Sequence, residues 1–134
     1  MLEGLWTATF ASDISVFNKG NIAEGSGIFV FDNNMILGGD VFYYYKGSYE
    51  YINESKFKGV IHVARYIENR GFTGNATSVF GNLDEFDVEF VADIDENRVL
   101  GTGSLVQYKD AHFAARLIKR AELPQPLQSA DIAV

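Results

Sequence analysis

The chain has no cysteine. That excludes a disulfide framework and any zinc site built on thiolates, and nothing points to an oxidising compartment. Cytoplasm is the default expectation, so the N-x-S/T triplets at Asn53 and Asn75 mark polar loops and not glycosylation sites. Only two prolines occur, Pro124 and Pro126, leaving the rest of the chain free of that strand breaker. No apolar run approaches the roughly 20 residues of a membrane-spanning helix. The opening "MLEGLWTATFAS" carries Glu3 and no basic segment, so no secretory leader is expected. Basic residues are scarce: 11 Lys and Arg against 18 Asp and Glu give a formal charge of −7. Affinity for nucleic acid comes largely from cations at phosphates, so direct nucleic-acid binding is disfavoured. A basic protein partner fits the charge, as does solubility alone.

Catalytic residue types are equally thin. His62 and His112 are the only histidines, and neither stands at a recognisable spacing from a serine or carboxylate. His62, between Ile61 and Val63, reads as a structural histidine in a strand and not a general base. "EGSG" and "GTGS" lack the strand-to-helix context of phosphate-cradling glycines. The carboxylates at 84–96 alternate along a strand and do not follow a calcium-loop pattern. The expectation is a binding protein with no catalytic residue, no cofactor and no metal.

What the chain does have is period-two alternation. In "FDVEFVADI", Phe86, Val88, Phe90, Ala92 and Ile94 face one way, and Asp87, Glu89, Val91, Asp93 and Asp95 the other. That is an antiparallel strand with one dry and one wet face. "DEN" turns into "RVLGTGSLVQY", and "KDAH" into "FAARLIKR". Upstream, "LEGLWTATFA" and "EGSGIFVF" read as strands flanking a polar loop, and "DNN" as a tight hairpin turn. "MILGGDVFYYYKGSYEYI" reads as one long strand, or two joined at Gly38-Gly39, where a bulge or bend before Asp40 helps a sheet curl shut. "KFKGVIHVARYI" is a further strand. Residues 67–85 form a long Gly-, Asn- and Thr-containing loop of the kind used as lids or binding loops. At 134 residues with 47% hydrophobic composition, one domain with a substantial core is expected. The expected fold class is all-β: a single antiparallel up-and-down β-barrel of about eight strands over residues 1–121, with a Pro-containing tail at 122–134. A barrel of this size holds one small ligand; a two-sheet sandwich is the alternative.

Several segments carry a family resemblance: "EGSGIFVF", "NNMILGGD", the following "YYYKGSY", "HVARY" at 62–66, and the opening "LEGLWTATF". Together they resemble the GrlR family, small bacterial proteins named for a negative regulator of type III secretion genes. The resemblance covers the first half of the chain, and the second half by strand pattern alone. It implies an eight-stranded lipocalin-like barrel, a homodimer and an apolar interior cavity. It also implies repression of transcription through a regulatory protein partner and not through DNA. The family's surface run of alternating acids falls here at "INESK" (52–56), which has only Glu54 acidic, with Lys56 beside it.

Two candidate sites follow. Five of the seven tyrosines lie between positions 43 and 51. In an extended strand Val41, Tyr43, Tyr45, Tyr49 and Tyr51 share the protected side, and Phe42, Tyr44, Lys46 and Glu50 the polar one. Buried phenols need hydrogen-bond partners. The tyrosine side therefore belongs to the core and barrel rim, to a semi-polar cavity, or to a dimer surface. The second candidate is the acidic stripe of Asp87, Glu89, Asp93 and Asp95. It is either a solvated face that discourages strand pairing or a surface for a basic protein partner in place of the acidic run absent from 52–56.

Overall fold

The computed structural model describes residues 1–13, 22–67 and 83–127. Most of the expected 67–85 loop, and the tail beyond Leu127, lie outside the described residues. Eight strands follow one another: β1 (Gly4–Asp13), β2 (Ile22–Asp32), β3 (Met35–Gly39), β4 (Tyr43–Asn53), β5 (Lys56–Arg65), β6 (Glu85–Asp95), β7 (Arg98–Leu105) and β8 (His112–Ala121). Each pairs antiparallel with its neighbours in sequence, and β8 returns to β1 to close the barrel. No helix occurs among the described residues.

The alternation in β6 does what one dry face requires: Phe86, Val88 and Ala92 are buried, while Val91 and Asp93 are exposed. At one end of the barrel the connections are two-residue hairpins. Asn33 and Asn34 take φ of 51° and 65°, the left-handed pair that matches the twist of flanking strands. Glu54 and Ser55 join β4 to β5, with the Asn53 side chain accepting from the Ser55 amide at 2.9 Å. Glu96 and Asn97 join β6 to β7. The other end carries the longer connections and the β3–β4 turn.

Of the two readings of the segment through that turn, the structure has the second: two strands joined at Gly38-Gly39, through a full reversal and not a bulge. β3 stops at Gly39, the chain reverses over Asp40–Phe42, and β4 runs back alongside, with Gly39 opposite Tyr44. Asp40 fixes the reversal, its Oδ1 accepting from the amides of Phe42 at 2.9 Å and Tyr43 at 2.8 Å, as short Asx side chains do in turns. Gly38 is needed for close approach: a Cβ there would overlap the Ile28 carbonyl of β2. Val41 and Phe42 thus belong to a turn and escape strand parity. Val41 is 64% exposed and Phe42 half-buried, reversing the sides assigned to them from alternation.

The hairpin end is sealed. Trp6, fully buried, donates its indole N–H to the Leu2 carbonyl at 2.8 Å and meets Phe31 edge-on at 6.0 Å. Tyr49 and Phe57 also pack edge-on to Phe31, an arrangement that suits the aromatic quadrupole.

Candidate functional site

Above this aromatic floor the barrel is hollow. A cavity of about 270 Å³ runs from Phe31, Phe57 and Leu117 at the floor to Glu24, Asp40 and Phe42 at the opposite end. Its origin lies in side-chain size. Ala92 of β6 stands opposite Gly101 of β7, and Gly101 opposite Ala115 of β8. Three small inward residues at one level leave volume that larger side chains fill elsewhere in the core. Phe10, next in that row, together with Phe29 and Phe90, gives the wall its aromatic character.

Tyr43 and Tyr45 line the upper cavity and are 1% and 5% exposed. Tyr45 stacks on Phe29 with ring centroids 4.9 Å apart and donates its hydroxyl to Asp40 Oδ2. Burial first, and then the hydrogen bond to the Asp40 carboxylate, push this phenol far above its ordinary pKa. Tyr43 donates to the Leu83 carbonyl at 2.7 Å, and Tyr66 donates to the Asp40 carbonyl at 2.7 Å. The Arg65 guanidinium lies over the Tyr43 ring, 5.2 Å from its centroid. It is held by the Leu83 carbonyl and by Asp84, each at 3.3 Å.

Tyr49 and Tyr51 share the protected face but do not line the cavity. Tyr49 is buried at the sealed end and donates to Glu3 at 3.0 Å. Its pKa is raised by burial and then by that carboxylate. Tyr51 is half-buried, its hydroxyl accepting from the Leu2 amide at 3.3 Å. Tyr44 points outward and is 44% exposed. The tyrosine run therefore serves two ends of the barrel: one pair shapes the cavity, the other ties down the first residues of the chain.

The acidic stripe lies on the outer wall, interleaved with bases. Asp87 pairs with His62 Nδ1 at 2.7 Å, and Glu85 meets Nε2 of the same ring at 3.4 Å. Glu89 pairs with Lys109, and Asp93 with Lys56 at 3.6 Å. Asp95 stands opposite Arg98 across the β6–β7 ladder. Asp87 and Glu89 are half-buried rather than freely solvated, and the negative field along the strand is partly cancelled. Among the described residues no group of three His, Asp or Glu side chains is arranged to hold a metal ion.

Strand alternation alone did not single out Phe10, Phe113 or the Ala92–Gly101–Ala115 row as cavity residues. The available signal was the recurrence of small residues at inward positions of three consecutive strands, which becomes a hole only once the register aligns them. No family model matches the chain, and no curated protein matches it.

Proposed function

We propose that the protein is a non-enzymatic binding protein that holds a small apolar or amphipathic ligand inside the barrel. The cavity carries this reading. It is concave, lined mainly by aromatic and aliphatic side chains, and edged by a few polar groups, the usual constitution of a small-molecule site. At about 30 Å³ per water-sized group, its volume suits a ligand of roughly ten heavy atoms. The test is thermal unfolding with 1-octanol, for the native protein and for Ala115→Leu, which places a larger side chain in the hollow. Saturable stabilisation is expected, about 2.7 kcal/mol at a hundredfold excess over Kd, and it should weaken in the variant. Equal stabilisation of both proteins would place the alcohol elsewhere and refute the cavity reading.

A second reading, suggested by the sequence resemblance, is a GrlR-type regulator acting through a protein partner or as a homodimer. Ile28, Met35 and Leu37 on β2 and β3 are 47–57% exposed, and clustered apolar surface marks interaction faces. Leu37→Glu should lower the apparent mass in sedimentation if copies associate through this face. An unchanged mass would remove self-association through it. A ligand held in the barrel and a partner outside it are compatible, as in a sensor.

A further inference from the structure

Among the described residues, the cavity's polar end carries one inward charge, the carboxylate of Asp40. Glu24 borders the cavity on β2, but it alternates outward with Ser26 and Ile28, its neighbour Gly25 being the residue opposite the inward Phe10. Asp40 opens the β3–β4 turn beside that strand, where a Cβ on Gly27 would reach the Tyr45 hydroxyl and the Gly39 carbonyl. Among the described residues, Arg65 lies over the Tyr43 ring, engaged by Leu83 and Asp84, and does not line the cavity.

We propose, resting on the ligand-binding reading above, that the occupant is a cationic amphiphile. An aliphatic or aromatic body would fill the barrel, and a protonated amine would sit at Asp40. Three features favour a cation. Asp40 Oδ2 receives only the Tyr45 hydroxyl among the hydrogen bonds described, which leaves acceptor capacity toward the cavity. An amine there gains charge-assisted hydrogen bonds. The faces of Phe10, Phe29 and Tyr45, grouped edge-to-face and stacked, also attract cations through their quadrupoles. A fatty-acid carboxylate of equal length would instead bring like charge next to Asp40.

Octylamine, 1-octanol and octanoate share one chain and differ in head group. Their affinities, measured by calorimetry at pH 7 in low and in moderate salt, decide the matter. Octylamine should bind about tenfold or more tighter than octanoate, with octanol between them. Asp40→Asn, which keeps an acceptor for the turn amides, should shrink that ratio, and Glu24→Gln, on the outer face, should leave it unchanged. Amine preference persisting undiminished in Asp40→Asn would assign it to the protein's overall negative charge and overturn the proposal. Equal affinities, or preference for octanoate, would overturn it while leaving the cavity as a neutral ligand site. Binding by none of the three would remove the ligand-binding reading itself.

Discussion

The bond between Tyr45 and Asp40 joins the cavity wall to the turn at its upper end, so its strength can be measured as a coupling. In Tyr45→Phe the ring remains and keeps its stack on Phe29, 4.9 Å between centroids; only the hydroxyl is lost. A hydrogen bond to a charged partner contributes about 1.5–3 kcal/mol. Asp40 retains two backbone donors, at 2.9 and 2.8 Å, so the lower end applies, about 1.5 kcal/mol. In a domain of 134 residues that corresponds to a Tm lower by roughly 6 °C. Asp40→Ala should cost more, about 3 kcal/mol, because the amides of Phe42 and Tyr43 lose their acceptor as well. The double variant should fall short of the sum by about 1–2 kcal/mol, the signature of a direct interaction. Urea unfolding followed by fluorescence suits the measurement, since Trp6 is the sole tryptophan and is fully buried. Additivity to within about 0.5 kcal/mol would refute the reasoning and reduce the contact to a neighbourly approach without energetic weight.

Alkaline pH should weaken the fold through the tyrosines. Folding raises the Tyr45 and Tyr49 pKa values, so the folded state holds these protons more tightly than the unfolded one. Their stabilising contribution is complete below the ordinary phenol value of about 10 and is lost as pH climbs beyond it. Urea midpoints that stay flat above that pH, or that decline identically in Tyr45→Phe, would contradict the assignment. Gly38→Ala should destabilise by about 2 kcal/mol or more, since the new methyl collides with main chain that cannot swing aside; thermal unfolding reads it directly. Replacing Asp87, Glu89, Asp93 and Asp95 with amides should change stability by no more than about 1 kcal/mol per pair, because surface ion pairs contribute little. If the stripe meets a basic partner, those replacements should also slow association in a salt-dependent way, and an unaffected on-rate would return it to the solvated outer wall.

Much of this architecture is legible in the sequence. A strand's two faces are set by its own residues, so the inward set of β6, from Phe86 to Ala92, follows from local alternation. Asn33-Asn34 announces its hairpin because few residues adopt two successive left-handed conformations cheaply. The burial of Tyr43, Tyr45 and Tyr49 follows from the same parity, which holds along β4 until the register shift between Tyr51 and Asn53. Parity gave the wrong sides for Val41 and Phe42 because alternation presumes a continuous strand. Whether paired glycines bend a strand or end it depends on what lies beside them, here the Ile28 carbonyl on a different strand.

The site itself depended on partners distant in sequence. Ala92, Gly101 and Ala115 are unremarkable singly; the barrel's register sets them side by side and leaves the hollow they share. The tyrosine run looked like one feature, but a β-strand crosses the whole barrel, so residues six apart serve opposite ends: Tyr43 in the upper cavity, Tyr49 over the sealed floor. The acidic stripe looked unopposed until β5 and the β7–β8 connection brought His62, Lys56 and Lys109 against it. Sequence alone determined which side chains of β4 and β6 avoid water, because within a continuous strand that is decided by period and polarity. Which of them fill space and which enclose it was decided only by closure, since volume and charge balance are properties of residues that meet across strands.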